Sequence, residues 1–205
     1  MNKIFFTADL HFGHKNILKF LPNRPFASED DTKAHDKWLS DLWLSSVDKR
    51  DTIYIIGDLT FYKSDEARRL LEKLPGRKYL IQGNHDNSIK AHANYFQTTA
   101  QILEVTLKPT ILPLLKENMN LVLCHYPIIE WNNKYTGSIM LHGHCHGNLD
   151  EYNRHSEDLR FDVGIDSELA HRTGGFVDAE TLYEAAMEKT NGMSFKEYAE
   201  TIYNR

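Results

Sequence analysis

Five short apolar runs in this chain are each followed by a compact cluster of aspartate, asparagine, histidine or glycine. Ile4–Ala8 leads into Asp9-Leu10-His11, Thr52–Ile56 into Gly57-Asp58, and Lys78–Gln82 into Gly83-Asn84-His85-Asp86. Asn120–Cys124 leads into His125-Tyr126-Pro127, and Ser138–Leu141 into Gly143-His144-Cys145-His146. Brief β-branched and aliphatic runs read as buried strands. Amphipathic stretches separate them, and that alternation is the pattern of a layered α/β fold. Functional residues in such folds gather in loops at the carboxyl ends of strands, so clusters far apart in sequence converge on one rim.

The same reading places the helices. One starts after Ser28, with Asp31 in a weak capping box, and presents Ala34, Trp38, Leu42 and Val47 at helical spacing. Ser64 caps a second, which runs to Leu74 and stops at Pro75-Gly76. Gln101–Leu107 and Leu159–Val163 add strands. Asp178 caps a helix through Met187, and Ser194 with Glu197 forms a capping box for a last one. No repeat, linker or low-complexity stretch interrupts the 205 residues. A single domain spanning 1–205 is therefore expected.

Composition narrows the function classes. At 41% hydrophobic and 26% charged, the chain is ordinary for a globular protein. No apolar run approaches bilayer length, so no membrane partner is expected. The N-terminal run meets Asp9 too early for a signal peptide, which makes the cytoplasm the expected location. A net charge of −5 argues against a grip on extended nucleic acid, which wants a basic face. Cys124 and Cys145 are too few for a disulfide framework and read as small residues filling space under the histidines.

The clusters form a ligand inventory. Asp9 and His11 are two apart, so a strand would point both to one side. Gly57 permits close backbone approach, and Asp58 after it is the candidate for a carboxylate shared by two cations. Asn84 offers an amide oxygen; His125, His144 and His146 offer imidazole nitrogens. Mixed oxygen and nitrogen donors suit manganese, iron, zinc, cobalt or nickel better than magnesium or calcium. Two such ions, roughly 3.5–4 Å apart, hold a hydroxide between them and clamp an in-line displacement at phosphorus. His85 is the candidate acid for the leaving oxygen, with Asp86 as the carboxylate that orients it. His14 and Arg24 are candidates for contact with the substrate phosphate. Tyr126, Trp131 and Tyr135 are candidates for a wall beside the leaving group, with packing as the alternative.

Taken singly, each cluster reads better as a turn than as a ligand. In this order they form D-x-H, G-D, G-N-H-[DE], H and G-H-x-H from Asp9 to His146, which resembles the calcineurin-like metallophosphoesterase superfamily. Asp162–Asp166 resembles the closing strand of small members. Asp9-Leu10-His11-Phe12-Gly13-His14 with Asn16 resembles a group of small bacterial and phage phosphoesterases. The resemblance implies one ion on Asp9, His11, Asp58 and His146, a second on Asp58, Asn84, His125 and His144, and His85 as the catalytic histidine. It also implies two mixed β-sheets packed as a sandwich and flanked by helices in four layers.

The expectation is thus a dinuclear metal-dependent phosphoesterase, with manganese foremost and a small phosphate ester or nucleotide as substrate. The motifs carry no insertion large enough for a lid. The cleft is therefore read as open, which favours a phosphodiester. A phosphomonoesterase, a nucleotide pyrophosphohydrolase, a protein phosphatase and a nuclease are the rival enzymes. A non-catalytic scaffold is the rival from another class, disfavoured because no ligand residue is missing.

Overall fold

The computed structural model describes residues 2–21, 24 and 31–204, with Lys90 by its backbone. Strands β1 (Ile4–Thr7), β2 (Thr52–Ile56), β3 (Arg77–Ile81) and β4 (Thr98–Ala100) pair in parallel, in the spatial order β4-β3-β2-β1. In the second sheet β5 (Ile102–Leu107) runs antiparallel to β6 (Met119–Cys124). There β7 (Ile139–His142) and β8 (Arg160–Asp162) continue in parallel. The two-residue β9 (Val177–Asp178) completes the first sheet, antiparallel to β1. Both sheets are mixed, and the chain has the expected α/β class.

Period-two alternation divides the strand side chains between two cores. Phe5, Ile53, Ile55 and Leu80 cluster with Leu39, Trp43, Leu70 and Leu71. The latter four come from the helical layer, which follows the short α1 (Ile17–Phe20) with α2 (Thr32–Ser46) and α3 (Ser64–Lys73). Phe6, Tyr54, Ile56 and Ile81 point the other way and cluster with Leu121, Leu123, Ile139 and Leu141 of the second sheet. Burying each such side chain contributes roughly 1.5–3 kcal/mol, so this sandwich fixes where the strand ends lie. The second sheet's outer face is covered more thinly. Val122, Cys124 and Met140 pack with Trp131 there, and α4 (Asp150–His155) lies beside β8. Leu169 of α5 (Glu168–Thr173), Leu182 of α6 (Ala179–Lys189) and Phe195 of α7 (Phe195–Tyr203) belong to the inter-sheet core.

Three local expectations need correction. The predicted start of α2 after Ser28 lies outside the described residues; within them Asp31 is itself the N-cap and accepts from the Ala34 N–H at 2.9 Å. The buried face of α2 is His35, Asp36, Leu39 and Trp43 rather than Ala34, Trp38 and Leu42. It is rotated by one residue because two polar side chains are drawn inward toward Arg24 and Gly13. Ser64 is the first helical residue of α3, and Lys63 holds the cap position without a side-chain bond. The caps at Asp178 and Ser194 form as expected, the latter as a complete capping box.

Candidate metal centre

The rim of the sandwich is stitched by backbone bonds that continue past the strands. Asp9 N–H donates to Gly57 O and His11 N–H to Asp58 O, each at 3.0 Å. Beyond β8, Val163 N–H reaches His142 O while Ile165 N–H reaches Ala8 O, so this segment ties the two sheets together. The loops after β1, β2, β3, β6 and β7 are thereby held at one place.

Those loops turn sharply. Seven described non-glycine residues have positive φ, and five of them are Asp9, His11, Asp58, His144 and His146. Left-handed backbone costs a non-glycine residue on the order of 1–3 kcal/mol and persists where surrounding structure enforces it. It also replaces one sequence expectation. Asp9 and His11 share a direction through two left-handed turns (φ of 59° and 57°), not through strand alternation, since β1 ends at Thr7. Gly57 makes close approach possible: a Cβ there would stand 2.3 Å from His125 Nδ1.

The seven candidate ligands are brought together. Asp58 Oδ2 lies 3.7 Å from His11 Nε2 and 3.6 Å from His125 Nε2. Asn84 Oδ1 is 3.1 Å from His125 Nε2. Donor atoms of Asp9, His11 and His146 lie within 4.8 Å of one another, as do those of Asp9, Asp58 and His125. His144 belongs to neither trio, but its ring stands 5.0 Å from that of His125 and its N–H donates to Asp9 Oδ2 at 2.9 Å.

Protein groups already orient several of these donors. His125 Nδ1 donates to Ile56 O at 2.9 Å and His146 Nδ1 to Asp166 Oδ2 at 2.8 Å, which leaves both Nε2 lone pairs toward the centre. Asp9 Oδ1 and both ring nitrogens of His11 are buried without a hydrogen-bond partner. Buried polar atoms are rarely left so, and these are the atoms a cation would take. Burial, with the nearby charges of Asp162 and Asp58, pushes the Asp9 carboxyl well above its ordinary range. Burial, with His146 and Arg24 nearby, pushes His11 far down and keeps its ring neutral for ligation. The donor set therefore fits divalent metal ions.

Other predicted residues fall around this group. His85 stands at its mouth, its side chain 44% exposed and its Nε2 3.9 Å from Asp58 Oδ2. Asp86 does not orient it. Its carboxylate turns away and accepts the N–H groups of Asp58, Leu59 and Gly83 at 2.8–2.9 Å. His14 stacks on Phe61 with 4.1 Å between ring centroids. Arg24 is 5% exposed, and its donors go to Asp166, Leu10 O and Asp9 O rather than outward to a substrate. Tyr126 touches the site, 4.8 Å from His144 between centroids. Trp131 packs instead with its Nε1 on Ser138, and Tyr135 meets Tyr203 edge-on.

The supporting acids were not assigned from the sequence. Asp162 accepts Gly147 N–H at 3.1 Å and Gly164 N–H at 2.8 Å, bracing the His146 loop. Asp166 joins His146 to Arg24. Burial alone would raise its pKa, but hydrogen bonds from Arg24 and His146, with their charges, hold it well below the ordinary range. The recurrence of aspartate four residues apart from the end of β8 was the available signal.

The comparisons agree with this architecture. The calcineurin-like phosphoesterase pattern matches residues 2–187, and the chain belongs to that family of metal-dependent phosphoester hydrolases. Gene 66 protein of Mycobacterium phage L5 is 29% identical over 205 aligned residues, covering 90% of this chain and 94% of the phage protein. Uncharacterized protein MJ1445 of Methanocaldococcus jannaschii is 34% identical over 155 residues, covering 74% of each chain. A crystal structure of a protein of unknown function from Aquifex aeolicus, AQ665, shares the fold. It has a TM-score of 0.63 at 21% identity and covers 90% of this chain and 100% of that one. No helix among the described residues is long and apolar enough to cross a membrane.

Proposed function

We propose that this chain is a phosphodiesterase that works with two divalent metal ions, manganese foremost. The carrying observation is the place of Asp58 Oδ2, 3.7 Å from His11 on one side and 3.6 Å from His125 on the other. Beside it, Asp9 and His11 present buried atoms with no protein partner. Asp9, His11, Asp58 and His146 would hold one ion; Asp58, Asn84, His125 and His144 would hold the other. The ions supply Lewis acidity toward water and positive charge for the phosphoryl oxygens.

The chain's own groups do the rest. Asp166 and Ile56 O fix the tautomers of His146 and His125. His85, half exposed beside Asp58, holds at Nε2 the proton that the leaving oxygen takes. The guanidinium of Arg24 is committed to protein acceptors, so it does not neutralise the second charge of a monoester. A singly charged diester matches that electrostatic setting.

The test is hydrolysis of bis-p-nitrophenyl phosphate and p-nitrophenyl phosphate by manganese-loaded protein. The diester is expected to be the better substrate, and Asp58→Ala to lower its turnover by about a hundredfold or more. A faster monoester would remove the diester assignment. Near-normal turnover in Asp58→Ala would remove the shared-ligand role.

A further inference from the structure

Beside Asn84 the surface opens into a groove of about 340 Å³, bordered by Gln82, Asn87, Gln101, Ile102 and Tyr126. That volume lies within the range of small-ligand sites. Two residues belong to the groove and to the metal centre at once. Asn84 Oδ1 is 3.1 Å from His125 Nε2. The Tyr126 ring stands edge-on to His144 and His125, with centroids 4.8 and 5.1 Å away, and is 44% exposed. A substituent on a phosphate held at the centre therefore has a direct path into the groove.

The lining chemistry is selective. Among the described residues neither lysine nor arginine borders the groove. The one acid among them, Asp86, spends its carboxylate on three backbone N–H groups. A second phosphate or a charged peptide would find no counter-charge among those residues. Apart from Asn84, the side-chain amides of Gln82, Asn87 and Gln101 each offer a donor and an acceptor in one plane, the combination that matches the edge of a nucleobase. Tyr126 supplies an aromatic face for stacking, and Ile102, 53% exposed, supplies an apolar contact. His85 stands on a different wall. Its ring packs on Phe61 at 4.7 Å and lies 5.8 Å from His11, and neither borders the groove.

We propose that this groove binds the base of a nucleoside phosphodiester and holds the retained nucleoside while the other substituent leaves past His85. The proposal rests on the phosphodiesterase reading above. In the reaction, water gives its oxygen to phosphorus and the P–O bond to the leaving group breaks. The leaving oxygen takes a proton from His85, and a proton released by water replaces it. The products are a nucleoside monophosphate and an alcohol.

Two measurements on the full chain test it. With manganese-loaded protein, kcat/KM for the p-nitrophenyl ester of thymidine 5′-phosphate should exceed that for methyl p-nitrophenyl phosphate by at least about tenfold. The double variant Asn87→Leu/Gln101→Leu, altered outside the metal ligands, should lose that preference through KM and leave the methyl ester unchanged. With metal-free protein, ligand-observed NMR should show thymidine and adenosine binding, and the same variant should abolish it. Equal kcat/KM for the two esters, an equal loss of both in the variant, or no nucleoside binding would each overturn the proposal. Nucleoside binding without hydrolysis of either ester would instead overturn the phosphodiesterase reading and, with it, the retained-nucleoside role.

Discussion

Arg24 shows what one buried side chain does for several others. Its guanidinium makes a two-point contact with Asp166, Nε to Oδ1 at 2.8 Å and a terminal nitrogen to Oδ2 at 2.7 Å. It also donates to Asp9 O at 2.6 Å and Leu10 O at 3.2 Å, and lies 2.7 Å from His35 Nε2. His35 passes the contact to Asp36, which accepts the Gly13 N–H and the Tyr62 hydroxyl. Arg24 therefore holds both the loop that carries Asp9 and the acid that orients His146. Arg24→Met would leave Asp166 buried beside His146 without its main counter-charge. Removing one partner of a buried pair costs about 3–5 kcal/mol, and loss of a ligand-orienting group weakens metal binding by about 10- to 100-fold. Urea denaturation and a manganese titration followed by electron paramagnetic resonance should show both losses. Unchanged manganese affinity would reduce Arg24 to a packing residue. The sequence marks Arg24 as a cation near the first motif, where a phosphate contact and a solvated side chain read about equally well. It cannot show that the partner is 142 residues away. Asp9, Asp58 and His146 were legible because their short motifs carry chemistry on their face, whereas Asp162 and Asp166 act through other residues.

Element by element, legibility follows the strength of the local signal. β2 was readable to the residue, because Thr52–Ile56 is wholly apolar or β-branched and Gly57 ends it. The four-residue α1 and the two-residue β9 carry no periodicity to read; tertiary pairing alone makes β9 a strand, through Phe5 and Phe6. The face of α2 was misread by one position because burial of His35 and Asp36 is decided by distant partners, not by hydrophobicity. α4 is not legible in the sequence, since its charged residues give it no apolar stripe. What holds it is Lys189, at the end of α6, whose ammonium donates to Ser156 O at 2.8 Å and also to Asn153 O. A cation on the closing carbonyls of a helix is favourable. Burial lowers the Lys189 pKa to about 8. Its stabilising share is smaller than that of an exposed charge, because a group with a depressed folded pKa costs stability as pH falls from its ordinary value toward the folded one. Lys189→Met should destabilise the fold by about 1–2 kcal/mol at pH 7 through the orphaned carbonyls. Urea melts at pH 7 and pH 9 would measure this, with a larger difference at the higher pH, where the folded amine no longer carries a charge in a buried place. An equal or smaller cost at pH 9 would show that burial does not hold the Lys189 charge down.

Seen as a whole, the molecule gathers its candidate ligands from both sheets. Asp9, Asp58 and Asn84 follow strands of the first sheet, and His125, His144 and His146 follow strands of the second. The same rim concentrates the carboxylates of Asp9, Asp58, Asp162 and Asp166, with Arg24 as their bound cation. Burial raises Asp9 and Asp162, so in metal-free protein their ionisation opposes folding as pH rises above the ordinary carboxylate range. Divalent ions reverse that sign, because they bind the ionised folded centre and have no assembled site in the unfolded chain. A ligand at a hundred times its Kd adds about 2.7 kcal/mol per site. Saturating manganese should therefore raise the urea midpoint at pH 7.5 relative to chelated protein, and by less at pH 5, where the raised Asp9 carboxyl holds a proton that competes with the ion. Hydrogen exchange should slow on loading in the His125 loop and in Gly143–Gly147, the segments of the second sheet that the ions would join to the first. Equal midpoints with and without manganese, or protection confined to the loops of one sheet, would mean that the centre does not clamp the sandwich across its two halves.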